Sequence, residues 1–138
     1  MRDPKAASLD ISESVLALMD SLRSDLQGSL PHTCSFMHVK TLGIVDRLSE
    51  PSMSQVADEL KITSPGATMV VDRLVESGEL ERMSDPSDRR VIRLKITDSG
   101  KKVLKEGVHV VRACIDKRLS KLSKAEQSKL SALLNKII

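Results

Sequence analysis

Two sets of residues in this 138-residue chain have types and spacings that could do chemistry. The first lies between Ser64 and Lys95 and suits recognition of phosphates and bases. Ser64 and Thr68 can hydrogen-bond to phosphates or base edges, Met69 can touch a thymine methyl group, and Arg73 can bind a phosphate. Gly66 permits close backbone approach, and the free N–H groups of a helix beginning near Ser64 and Pro65 can hold a phosphate. Farther along, Arg89, Arg90, Arg93 and Lys95 form a local positive strip with Asp88 at its edge.

The second set is His32, Cys34 and His38, an H-x-C-x3-H arrangement, with His109 and Cys114 on a later segment. Imidazole and thiolate are zinc ligands, and an exposed thiol of low pKa can respond to an oxidant. The spacing is not that of a standard zinc site, and His109 and Cys114, five residues apart, stand about 140° apart around a helix. The plainer reading is scattered histidines and two buried thiols. No Ser, His, Cys or acid is spaced for bond chemistry, so the chain is not read as an enzyme and no cofactor is expected. No metal site is assigned; His32, Cys34, His38 and His109 are the weak candidates.

Helices must position the first set. Ser52 and Gln55 make an S-x-x-Q capping box for a short helix with Val56, Ala57 and Leu60 inward. Lys61-Ile62-Thr63 is a turn, and Ser64 followed by Pro65 starts another helix, with Ser64 as cap and Pro65 at the first helical position. Burying Ala67, Val70, Val71, Leu74 and Val75 turns Pro65, Gly66, Thr68, Met69, Asp72 and Arg73 outward. Two strands follow, Leu80–Met83 and Val91–Ile96; in the second, Ile92, Leu94 and Ile96 alternate with Arg93 and Lys95. Asp85-Pro86-Ser87-Asp88 between them suits a type I turn. A compact helix pair followed by an arginine-bearing ribbon fits a duplex, the second helix in the major groove and the ribbon reaching the minor groove.

Flanking helices complete the order α-α-α-α-β-β-α-α. Asp10 and Glu13 cap a first helix with a stripe of Val15, Leu18, Met19, Leu22 and Leu26, ended by Gly28 and Pro31. A second runs from about Ser35 to Ser49 with Phe36, Val39, Leu42, Val45 and Leu48 inward. After the ribbon, Thr97 caps a long helix with Val103, Leu104, Val108, Val111 and Ile115 inward. Ser123 and Glu126 box-cap a last one carrying Leu130, Leu133, Leu134 and Ile137. Apolar residues persist almost to Ile138, which points to a partner surface.

Composition narrows the class. Hydrophobic residues are 40% and charged residues 30%, as in a globular domain able to bury a core. Phe36 is the only aromatic residue, so the core must be aliphatic, and stacking platforms for single strands are missing. The opening MRDPKAASLDIS lacks a signal-peptide core, and no run of about 18 apolar residues could cross a membrane. With two distant cysteines and no disulfide framework, a cytoplasmic protein without membrane partners is expected. The net charge is only +3, and residues 51–95 carry seven basic and eight acidic side chains. A duplex reader must therefore turn Asp58, Glu59, Glu76 and Glu79 away from the phosphates.

The segments DELKIT, SPGATMVVDRL, ESGELER, DPSDRR and ITDSG, in that order, resemble the MarR family of winged-helix transcriptional regulators. The resemblance runs more loosely over nearly the whole chain, and DPSDRR followed by a strand and IT-x-x-G is its most specific part. It implies a mainly α fold with a small β-hairpin wing, a winged helix-turn-helix with flanking dimerisation helices. Residues 1–34 would be the N-terminal dimerisation helix, 35–97 the DNA-binding lobe and 98–138 the C-terminal dimerisation helices, in one intertwined domain. The implied function is a ligand-responsive repressor that binds a pseudo-palindromic operator in double-stranded DNA as a homodimer. Ser64, Pro65, Gly66, Thr68, Met69 and Arg73 would form the recognition helix. Arg89, Arg90 and Arg93 would serve the wing, with Asp88 orienting a neighbouring arginine for the minor groove. Ser87 stands where many relatives carry a basic residue. An apolar or anionic effector would bind near Phe36, Met37 and His38; metal or thiol-redox sensing is the alternative effector mode. The alternative function is a winged-helix protein-interaction module in which Arg89 and Arg90 meet an acidic protein.

Overall fold

The computed structural model describes residues 10–31 and 33–138. Its order is α1 (Ile11–Ser29), α2 (Phe36–Leu48), α3 (Met53–Leu60), α4 (Ser64–Glu76), β1 (Leu80–Ser84), β2 (Ile92–Ile96), α5 (Asp98–Leu119) and α6 (Lys124–Ile137). This is the mainly helical, hairpin-bearing winged helix that the patterns predict.

Capping residues set the helix starts. Asp10 with Glu13, Ser52 with Gln55 and Ser123 with Glu126 form capping boxes at α1, α3 and α6. Each box satisfies N–H groups that the first turn leaves unpaired. Ser35 boxes α2 with His38 as its partner, and the Thr97 hydroxyl accepts the Gly100 N–H at α5. One start differs from expectation. Thr63, not Ser64, caps α4: its Oγ1 accepts the Gly66 N–H at 3.3 Å, leaving Ser64 as the first helical residue and Pro65 the second. Thr63 has the extended backbone of a cap.

The core is aliphatic and lies where α2, α3, α4 and the hairpin meet. Leu42, Val45, Val56, Val71, Leu74, Leu80 and Leu94 are fully buried there. Phe36, the single aromatic, stays out of it at 47% exposure. The hairpin is antiparallel, with Leu80 opposite Ile96, Arg82 opposite Leu94 and Ser84 opposite Ile92. Its turn departs from a simple type I loop. The Asp85 carboxylate accepts the N–H groups of Ser87 (2.8 Å) and Asp88 (3.1 Å), and a second turn closes from Val91 N–H to the Asp88 carbonyl (2.9 Å).

α5 packs on α2 and α1. Two glycines let it approach: a Cβ at Gly100 would lie 2.1 Å from the Glu79 carbonyl oxygen, and one at Gly107 would lie 2.4 Å from Val39 Cγ2. Gly107 and Cys114 are the buried positions of the middle of α5, whereas Val108 and Ile115 are exposed. Most of the expected inner face holds, since Val103 and Leu104 pack against the core and Val111 and Ile115 line the space beside α1 and α2, while the closest approach to α2 runs through Gly107, a residue without a side chain. α1 and α6 fully bury no residue: Leu22 and Leu26 of α1 are half-buried, whereas Val15, Leu16, Leu18 and Met19 of α1 and Leu133, Leu134 and Ile137 of α6 are exposed.

Candidate nucleic-acid interface

α4 is anchored through Ala67, Val71 and Leu74, all buried, so its opposite face is open. Ser64, Pro65, Thr68, Met69 and Arg73 lie exposed on that face, with Gly66 half-buried. Met69 is 62% exposed, a large apolar side chain left in solvent in the middle of the helix. Thr68 Oγ1 donates to the Ser64 carbonyl at 2.9 Å, which ties down its hydroxyl proton. Asp72 is engaged by Arg82 of β1, so its charge is neutralised within the fold.

The start of α4 offers fewer free donors than its sequence implies. Gly66 N–H is taken by Thr63 Oγ1, Ala67 N–H by the Thr63 carbonyl, and Pro65 has none. Ser64 supplies the remaining N–H and a hydroxyl that makes no hydrogen bond to the described residues. A Cβ at Gly66 would lie 3.3 Å from Thr63 Oγ1, so the missing side chain also accommodates the cap.

The wing loop is organised by two carboxylates. Asp88 accepts the Arg90 N–H at 3.0 Å and the same residue's guanidinium through Nε (3.1 Å) and Nη2 (3.2 Å). Arg90 is therefore oriented although its side chain is 91% exposed. The Arg90 guanidinium and N–H hold the Asp88 carboxyl below the usual carboxylate range. Arg89 is exposed and makes no ion pair within the described residues. Asp85 is buried, and its carboxyl is likewise lowered, first by the Arg93 guanidinium and then by the Ser87 N–H. Arg93 is turned inward to Asp85 and to the Glu50 carbonyl, so it does not stand with Arg89 and Arg90 on the loop. Asp85 and Thr63 were not singled out as site-building residues by sequence patterns; the D-P-S-D turn and the T-S-P run are the signals that carry them.

The second chemical set is not brought together. His38 Nδ1 accepts the Ser35 N–H at 3.2 Å and so serves as a cap. His109 is exposed on α5, Cys114 is buried, and His32 lies outside the described residues. Among the described residues no three His, Cys, Asp or Glu side chains converge as metal ligands. Burial and the Glu79 charge push the half-buried Cys34 thiol up, opposite to what a reactive thiolate needs. Beside these residues, between α1, α2 and α5, is a cavity of about 660 Å³. Leu22, Leu26, Phe36, Met37, Val111 and Ile115 make its walls largely apolar, with Arg23 the charged residue at its lining; His38 is not part of it.

Against proteins already described, residues 34–91 match the model of the MarR family. This segment is similar to the MarR family. The chain is 35% identical over 86 residues to YkoM, an HTH-type transcriptional regulator of Bacillus subtilis, covering 61% of this chain and 54% of YkoM. It is 26% identical over 128 residues to YpoP of the same organism, covering 93% and 91%. It is 28% identical over 85 residues to the transcriptional repressor MprA of Escherichia coli, covering 62% and 48%. The matched stretch thus spans about half the length of YkoM and MprA. Among MarR-family structures, the reduced form of MarR from Escherichia coli superposes with a TM-score of 0.85 at 20% identity, covering 95% of this chain and 98% of that one. A mutant MarR complexed with operator DNA gives 0.79 at 20% identity, covering 94% of each. The named MarR relatives are regulators, not enzymes. No described helix is long and apolar enough to cross a membrane.

Proposed function

We propose that the chain is a sequence-specific, double-stranded-DNA-binding transcriptional regulator that acts as a homodimeric repressor on a pseudo-palindromic operator. The observation that carries this reading is the wing: Asp88 aims an otherwise solvent-exposed Arg90 outward, beside an Arg89 that makes no ion pair with the described residues and on the same lobe as the open face of α4. A guanidinium preset in this way loses less conformational freedom on meeting a phosphate or a minor groove. α4 would enter the major groove, with Ser64 and Arg73 on phosphates, Pro65 and Gly66 against the backbone, and Thr68 and Met69 toward base edges. With few strong hydrogen-bonding readers on α4, selectivity would lean on the wing and on duplex shape. The operator-bound MarR of the same fold supports the mode.

The outward stripes of α1 and α6, including Leu16, Met19, Leu133 and Ile137, support association with a second copy. Two α4 helices would then enter successive major grooves about one helical turn apart. The apolar cavity beside Phe36 and Met37 supports an apolar or anionic effector, with Arg23 as its charged partner. A cytoplasmic location fits this role.

The test is a selection from random duplexes with purified protein across a salt series, with and without EDTA. Recovery of a palindrome whose log affinity falls steeply with log salt is expected, since neutralised phosphates release counterions. Flat salt dependence without enrichment would assign Arg89 and Arg90 to an acidic protein partner instead. An EDTA effect would return a metal to the effector role.

A further inference from the structure

Arg93 has the geometry of a strut rather than of a DNA contact. Its side chain is 36% exposed, against 91% for Arg90. Its Nε donates to the Asp85 carboxylate, and its Nη1 donates to the Glu50 carbonyl 3.2 Å away. Asp85, only 11% exposed at its side chain, spends its other bonds on the Ser87 and Asp88 N–H groups at the base of the wing loop.

The other end of the strut is the link between α2 and α3. There Ser49 and Glu50 hold φ of 50° and 61°, a region that non-glycine residues avoid unless surrounding contacts impose it. β2 supplies those contacts: Leu94 N–H donates to the Pro51 carbonyl at 2.9 Å, Ser52 and Arg93 form a bridge, and the Arg93 guanidinium holds the Glu50 carbonyl. The contacts run unbroken from Glu50 through Arg93 and Asp85 to the Asp88 backbone, and Asp88 in turn holds Arg90.

Building on the DNA-reading proposal, we infer that Asp85 and Arg93 are positioning residues that fix the wing loop against the α2–α3 link and so set where Arg89 and Arg90 meet the duplex. A planar fork can span a carboxylate and a carbonyl at once, which an ammonium point charge cannot. The carboxylate makes the loop's two N–H groups and the fork share one anchor.

The test is the affinity of the full chain for the duplex recovered above, for wild type, Arg93→Lys, Asp85→Asn and the double variant. Lysine keeps the charge but loses the fork; asparagine keeps an acceptor for Ser87 and Asp88 but loses the charge. Each single variant is expected to bind about tenfold more weakly, the order of one lost charge-assisted hydrogen bond. The double variant should lose little beyond either single, because both break one contact. Thermal unfolding should stay close to wild type. Undiminished binding by Arg93→Lys would show a simple phosphate contact, and tighter binding by Asp85→Asn would show a carboxylate that merely repels DNA. Additive losses, or losses matched by a global drop in melting temperature, would assign the residues to independent or general structural roles. Each of these overturns the strut. A wild type that recovers no duplex overturns the DNA reading itself, and the strut with it.

Discussion

Arg90 and Arg93, three residues apart on one ribbon, have opposite fates because different carboxylates claim them. Asp88 holds Arg90 from the side and leaves it in solvent, whereas Asp85 draws Arg93 toward the body of the lobe. Arg90→Ala is therefore expected to weaken duplex binding by about tenfold and to lower the salt slope by about one, while leaving the melting temperature unchanged. Unchanged affinity would remove the wing from the interface. The two carboxylates also set an acid limit. Both titrate below the ordinary range in the folded chain, so the unfolded chain binds more protons as pH falls. Their contribution to stability is complete above the unfolded value of about 3.9 and is lost as pH falls through the lower folded values. Carboxyl NMR titration should place both midpoints below that of a free aspartate; a midpoint at or above it would contradict the loop geometry.

At the scale of elements, α4 and α5 depend on opposite kinds of packing. Leu74 fills the core beneath α4 and is fully buried, so Leu74→Ala should cost about 2–5 kcal/mol in chemical denaturation through the cavity it leaves. At α5 the contact is made by absence: Gly107 lets the helix sit against Val39 of α2. Gly107→Ala should destabilise by about 1–3 kcal/mol through overpacking, and Val39→Ala in the same chain should recover part of that loss. No recovery would mean that α5 shifts elsewhere to accommodate the methyl group.

For the whole molecule, the exposed apolar side chains of α1 and α6 are a feature that one copy does not satisfy. Ile137 is 80% exposed, and Leu133 and Leu16 lie open with it. Sedimentation should find a dimer for the wild type and a monomer for a Leu133→Asp, Ile137→Asp double variant. Affinity for a palindrome should fall far more than affinity for a half-site, because a dimer engages both halves at once. A wild-type monomer would leave these stripes for another partner.

Much of this protein is written in short-range chemistry. Ser52 with Gln55, Ser123 with Glu126, the Pro51 and Gly78 breaks and the alternation of Ile92, Leu94 and Ile96 are local signals, so the helix starts and the second strand agree with expectation to within a residue or two. The exposed face of α4 follows from the same periodicity once Ala67, Val71 and Leu74 are buried. Local pattern stops where a choice depends on a distant group. Ser64 before Pro65 is the cap that local pattern offers, and the turn after Leu60 gives that role to Thr63 instead. Val108 and Gly107 are neighbours on one helix, and the position of Val39 decides which faces inward. Arg89, Arg90 and Arg93 carry the same charge and differ only in which carboxylate or carbonyl lies within reach. Residue type sets what a guanidinium can bind; the packing of β2 against the α2–α3 link sets which one is already bound.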